Sequence, residues 1–552
     1  MSGVHRGTIS VSTLQRTIRK GPVRNRGTER DYHALAYGDG EPRLLREDLW
    51  AAPSAAAPDA QSLLYFAHLT DAQIADVQSP GRLEFLERMR GEPGDLLFVP
   101  TQRPQELLAS HALDAAVRAI NTSRTSPDTG ADLAVAVNTG DSLDNAQLNE
   151  LAWFMTTLGG GVVDQASGSR EYEGVQSPSW PDPTHWHPDP VVDRHKERWG
   201  FPARPGLLEE ARKPFAAEGL RIAWLSCFGN HDGLIEGNAS PTPMYERILR
   251  GDRKPEALPE GLDPVGSVEQ FLGRPELYLQ GPSRRVTADP RRRTVGRREF
   301  IRAHLDAAGE PAGHGFTEQH ARDGTAYAAH DLDAGPVPLR LIVLDSTNMD
   351  GFSAGSIGGR QFRWLEEALL EVHSQFVDEE GRIRTQSAQD RIVLLFSHHG
   401  LDTMLNMRRQ EGGLEEDQPR IAASDVERLV HRFPNVALWV TGHMHVNRVV
   451  PRPDPQGRTA GFWEVCTSST IDWPCQVRLL ELVRAGEQLS ILSTMVDLPV
   501  PLAEDQEAGI DGLVALHREL AANNPFEGMD SWTAGTASDR NVALRLPMPF
   551  PA

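Results

Sequence analysis

Five short apolar runs, each broken off by a cluster of polar residues able to bind metal, constrain this chain more than any other feature. Residues 63–66 lead to Asp71 and Gln73, and 133–137 lead to Asp141, Asp144 and Asn145. Residues 220–225 enter Cys227-Phe228-Gly229-Asn230-His231-Asp232-Gly233. Residues 392–396 precede His398 and His399, and 436–440 precede Thr441-Gly442-His443-Met444-His445. Runs of this length and composition read as buried strands. Sheets of α/β proteins keep their ligands at strand ends, so the five tips are expected to meet around metal. Helical spacing at 105–120, 148–158, 361–372 and 424–433 alternates with the strands, and further strands are expected at 339–344, 462–466 and 489–492. The fold class is α/β.

A chain of 552 residues accommodates one large core with insertions. The expected organisation is an extended lead-in over 1–60, a core over 61–500, and a polar, proline-rich extension over 501–552 with one short helix at 510–521. Insertions interrupt the core at about 146–219 and 233–338. The first places His185 and His187 beside Trp180 and Trp186 in a proline-rich loop. An aromatic-anchored lid is the simpler reading; metal binding or stacking on a base is the alternative. The second carries Arg284, Arg285, Arg291, Arg292, Arg293, Arg297 and Arg298 in an acidic chain. Those arginines either pair with acidic surface or reach back to a substrate phosphate.

The net charge of −21 argues against general affinity for nucleic acid or anionic membranes, which needs basic surface. It leaves room for a small phosphorylated substrate, because a bound metal would dominate the local field. The three cysteines, Cys227, Cys466 and Cys475, fit neither a zinc knuckle nor a disulfide framework. The arginine-rich N-terminus lacks an apolar secretory region. No run approaches the ~20 apolar residues of a membrane span, and a cytoplasmic protein is expected.

Carboxylate, amide and imidazole ligands together suit borderline divalent ions, and the lack of cysteine among them argues against structural zinc. The ordered motifs are Asp71-x-Gln73, Gly140-Asp141-x-x-Asp144-Asn145, Gly229-Asn230-His231-Asp232, Ser397-His398 and Gly442-His443-x-His445. In that order they resemble the calcineurin-like metallophosphoesterase family, and they span Asp71 to His445. The resemblance implies a four-layer αββα sandwich of two mixed β-sheets flanked by helices, and a dinuclear centre. It implies that Asp141 bridges both metals, that Asp71, Gln73 and His445 complete the first, and that Asn230, His398 and His443 complete the second. His231 would donate to the phosphoryl oxygen or protonate the leaving alkoxide. Asp232 would hold the other ring nitrogen of His231 or merely form a turn, and His399 would stand outside the ligand set.

The departure from the family pattern is Gln73, where histidine is usual. An amide oxygen is a harder donor than imidazole and favours Mn or Mg over Zn. A subset similar to ADP-ribose/CDP-alcohol diphosphatases carries Asp-x-Gln followed by Ala-Asp, close to Gln73-Ile74-Ala75-Asp76. The expected cofactors are two divalent ions, Mn or Fe ahead of Zn or Mg. The expected activity is hydrolysis of a phosphodiester or pyrophosphate on a small nucleotide-like substrate, by in-line attack of a metal-bridging hydroxide. Three rivals stand beside it: a phosphomonoesterase (protein phosphatases included), a nuclease, and a non-catalytic metal- or nucleotide-binding module. A nuclease would need a basic track; only Gln73 favours the last.

Overall fold

In a computed structural model the described residues are 12–50, 60–90, 100–180, 182–262, 268–333, 335–409 and 418–550. Thirteen strands form two main sheets. The first four are β1 (Leu44–Arg46), β2 (Gln61–Leu69), β3 (Val135–Asn138) and β4 (Ala223–Ser226). Next come β5 (Ala328–Leu332), β6 (Leu339–Val343), β7 (Ile392–Phe396), β8 (Val436–Thr441), β9 (Arg448–Arg452) and β10 (Phe462–Cys466). The chain closes through β11 (Gln476–Ala485), β12 (Gln488–Asp497) and β13 (Val542–Pro547).

The seven-stranded sheet has the order β1-β13-β12-β11-β2-β3-β4, and the six-stranded sheet β5-β6-β7-β8-β10-β9. Both are mixed. Strands β2, β3 and β4 run parallel, while β11 joins β2 antiparallel. In the other sheet β6, β7, β8 and β10 run parallel, with β5 and β9 as antiparallel edges. Parallel strands covered on both faces must be apolar throughout; β6, β7 and β8 have every residue buried.

The two sheets pack face to face. Phe66, Val137 and Leu225 of the first meet Leu341, Leu394, Leu438 and Trp463 of the second in one core. Phe66 and Phe396 touch edge to face across the gap, with ring centroids 5.8 Å apart. Helices α1 (Ala109–Thr122), α2 (Leu148–Gly159) and α3 (Arg297–Asp306) cover the outer face of the seven-stranded sheet. Helices α4 (Gly359–Leu370) and α5 (Ala423–Val430) cover the outer face of the six-stranded one. A sixth helix, α6 (Ile510–Ala522), packs beside α1. The layers are therefore helix, sheet, sheet, helix, with long loop insertions.

Two terminal segments do more than the sequence suggests. Residues 16–25 and 32–39 form an antiparallel hairpin, and β1 adds to the large sheet. Beyond residue 500, α6 and β13 bury Val514, Leu516, Val542, Leu544 and Leu546. Alternate residues of β13 are only half-buried, which is why its composition looks like that of a surface segment. No helix among the described residues is long and apolar enough to cross a membrane.

Candidate metal centre

Six loops leave the C-terminal ends of parallel strands in the two sheets and converge. Asp71 follows β2, Asp141 follows β3, Asn230 follows β4, His398 follows β7, and His443 and His445 follow β8. The sixth loop, after β10, brings Asp472. At five of the seven predicted ligands the backbone is left-handed: Asp71 (φ 52°), Gln73 (40°), Asp141 (49°), His443 (68°) and His445 (51°). Residues with a Cβ pay of order 1 kcal/mol or more for such conformations. The loops accept that cost to turn these side chains back over the strand ends.

The side chains meet. Ligand-capable atoms of Asp71, Asp141 and His398 lie within 4.8 Å of one another. His398 Nε2 is 3.1 Å from Asp141 Oδ2, and His445 Nε2 is 3.3 Å from Asp71 Oδ1. Five buried atoms of the set lack a hydrogen-bond partner: Asp71 Oδ1, Gln73 Oε1, Asn230 Oδ1, His398 Nε2 and His443 Nδ1. Buried polar atoms are seldom left unsatisfied. Asp71 and His398 group with Asp141, and His398 in turn with His443, each group within 4.8 Å; buried oxygens and imidazoles so placed suit a divalent cation. The donor set of oxygens and imidazoles fits Mn, Fe or Zn chemistry.

The far ends of the ligands are occupied, which fixes where the near ends point. Asn230 Nδ2 donates to the Gly237 carbonyl (3.0 Å), leaving its oxygen inward. His398 Nδ1 donates to the Thr139 carbonyl (2.8 Å), which turns Nε2 toward Asp141. His445 Nδ1 lies 2.7 Å from Asp472 Oδ2, and Arg103 Nε in turn holds both Asp472 oxygens at 2.9 and 3.1 Å. Asp71 Oδ2 accepts from Thr70 Oγ1 (2.6 Å) and from the His443 amide (3.0 Å). Behind Thr70, a relay runs through Thr139 to His68, whose other nitrogen meets Thr467. Burial pushes His68 down to about 3, so its ring is neutral and passes hydrogen bonds without adding charge.

Charge within the cluster is strongly coupled. Burial works against the charged form of Asp141, but the His398 cation outweighs it and holds the carboxyl below its ordinary range. Burial likewise opposes charging of His398 and His445. Asp141 and Asp71, respectively, prevail and lift each imidazole to about 9. A metal entering the site would take the place of those protons, since an imidazole ligand must be neutral.

His231 and Asp232 divide differently from the expectation. The His231 amide donates to Asp141 Oδ1 (2.9 Å) and its ring Nδ1 meets the Asp144 carbonyl at 2.5 Å. Asp232 does not hold the ring. Its carboxylate accepts from the amides of Gly229 (2.8 Å), Ser142 (2.9 Å) and Leu143 (3.1 Å), stapling the β3 and β4 loops together. Gly229 is needed for that approach, because a Cβ there would collide with Asp141 Oδ1. His399 lies close to His398 and His443, yet Ser346 Oγ and the Ser353 carbonyl engage both of its ring nitrogens.

The insertions support the site rather than enter it. Arg292 is fully buried on Asp76 (2.9 Å), three residues past Gln73. Arg284 stacks over Trp180 at 3.7 Å and bonds the Glu173 carbonyl; Arg297 pairs with Asp345 at 2.5 Å; and Arg291 pairs with Asp289 at 2.6 Å. His187 faces the Gln176 and Asp182 carbonyls through its two ring nitrogens, and Trp186 is fully buried. That geometry matches the aromatic-anchored loop. Both ring nitrogens of His185 are buried without a hydrogen-bond partner.

No protein-family model and no curated protein matches the chain. Among solved structures it is similar to GAP50, described as the anchor in the inner membrane complex of Plasmodium. The two share 9% identity over 83% of this chain and 95% of that one, at a TM-score of 0.28. An overlap of that size carries nothing about function.

Proposed function

We propose that the chain is a calcineurin-like metallophosphoesterase, a metal-dependent hydrolase acting on a phosphodiester or pyrophosphate of a small molecule. The observation that carries the reading is the buried cluster of Asp71, Asp141 and His398, with His443 beside His398 and His445 on Asp71, where parallel strands of two sheets end. Asp71, Gln73 and His445 would hold one ion, Asn230, His398 and His443 the other, with Asp141 shared. Two divalent ions so held supply Lewis acidity to a phosphoryl group and acidify a water molecule.

The chain's own residues do the rest. His231 keeps Nδ1 on the Asp144 carbonyl, so a protonated ring would present its Nε2–H to a leaving alkoxide. Having given up that proton, the ring is neutral with Nδ1–H still bound to the carbonyl, so no reorientation is required. The net charge of −21 and the internal pairing of the second insertion's arginines favour a small substrate over a nucleic acid.

The test is turnover of bis(p-nitrophenyl) phosphate by Mn-loaded protein, with metal content measured alongside. Asp141→Asn is expected to lose hydrolysis and bound metal together. Full activity in that variant, or a wild-type protein with neither bound metal nor turnover, would sink the reading.

A further inference from the structure

The ligand cluster is open on one side. Asp71, Gln73, Asp141, Asn230 and His398 are buried, whereas His443 and His445 are partly exposed and Met444 between them is 37% exposed. Beside this rim lies a small cleft of about 40 Å³. It sits on the outer face of the six-stranded sheet, where Glu464 and Cys466 alternate with the inward-facing Trp463 and Val465. Gly400, Gly442 and Met444, from the loops after β7 and β8, line it, and Trp532, from the segment between α6 and β13, lines it as well.

Trp532 is the unusual member. Its side chain is 61% exposed, and no other ring packs against it among the described residues. An indole left in water beside a reactive centre is apolar area waiting for a partner. Met444 brings a polarisable thioether, which makes favourable edge contacts with aromatic rings. At about 40 Å³ the cleft has room for the edge of a ring but not for a whole side chain or an acyl tail.

The polar groups of the cleft narrow the choice further. Glu464 accepts from Arg452 Nε at 2.9 Å, and Asp402 is held by Arg448 and Arg452, both at 2.8 Å. Their charges are neutralised, so they do not repel an anionic substrate, yet their remaining lone pairs can accept N–H donors. A saturated chain laid there would leave those acceptors without partners, which is costly. A heteroaromatic ring with an amino edge satisfies them.

We propose that this cleft is the subsite for the nucleobase of the substrate, stacked on Trp532 with Met444 at its edge, while the phosphoryl group occupies the metal centre. The inference rests on the phosphoester reading of that centre. It makes Trp532 a specificity-determining residue drawn from the polar segment after α6, where no motif would have placed one.

Calorimetric binding of adenosine 5′-monophosphate and inorganic phosphate to the Mn-loaded full chain tests it. In the wild type the nucleotide should bind more tightly than phosphate. Trp532→Ala should lower the nucleotide-to-phosphate affinity ratio by about tenfold or more, the scale of one base–aromatic stack, and Trp532→Phe should restore most of it. An unchanged ratio in Trp532→Ala, or a wild type that binds phosphate as well as the nucleotide, overturns the subsite. Trp532-dependent nucleotide binding that persists after the metal is chelated, in a protein without turnover, would keep the subsite and remove the phosphoester reading.

Discussion

Within Asn230-His231-Asp232, three adjacent side chains take up three separate tasks. Asn230 keeps a buried oxygen without a hydrogen-bond partner, His231 is oriented by a backbone carbonyl, and Asp232 ties two loops together. The division gives a sharp expectation for His231→Ala: turnover falls by ~10²–10⁴, the usual range for a positioned acid, while bound metal measured by mass spectrometry stays at the wild-type level. Loss of metal with that substitution would mean the ring is a ligand after all. Asp472→Asn should do the reverse. It removes the carboxylate that orients His445 and leaves Arg103 with a weaker partner, so metal affinity should drop by ~10–100-fold. A titration showing wild-type affinity in Asp472→Asn would contradict the role given to it here.

At the scale of elements, the parallel strands were legible because apolar runs ending in polar clusters leave a plain pattern. The runs 392–396 and 462–466 coincide with β7 and β10. The tip of β10 follows the same rule as the others: Cys466 gives way to Thr467, Ser468, Ser469, Thr470 and Asp472. That polar run was the available signal for Asp472. Arg103 had no such signal, since its role depends on a contact across 369 positions of sequence. Histidines that merely pack were equally hidden. His304 of α3 is buried among Phe300, Phe316, Trp224 and His314, and burial pushes it down to about 3. The folded state therefore keeps this ring neutral while the unfolded chain binds a proton below about 6.5. Its contribution to stability is full above that pH and declines as the pH falls toward 3, on the order of 2 kcal/mol by pH 5. Comparing Tm at pH 7.5 and pH 5 should show a smaller acid penalty for His304→Phe than for the wild type. Equal penalties would mean the ring is solvated or already charged in the fold.

For the molecule as a whole, the two ends of the chain are structural members, and this was the least legible part of the sequence. β13 alternates buried and half-buried residues, and β1 is three residues long and largely exposed, so both read as surface segments until their neighbours are known. In the fold, β13 pairs with β12 on one side and β1 on the other, while α6 lies against α1. Ending the chain after residue 500 would uncover β12 along its whole paired length and expose the apolar faces that α6 and β13 now cover. Val542, Leu544 and Leu546 alone represent ~5–9 kcal/mol of burial at ~1.5–3 kcal/mol each, which is comparable to the entire stability of a typical domain. The truncated protein is therefore expected to be insoluble or unfolded by circular dichroism rather than a shortened folded chain. Trp532 makes the same cut informative about the site. Were the shortened chain to fold, bind Mn and still prefer the nucleotide over phosphate, then β13 would be dispensable and the stacking surface would lie elsewhere.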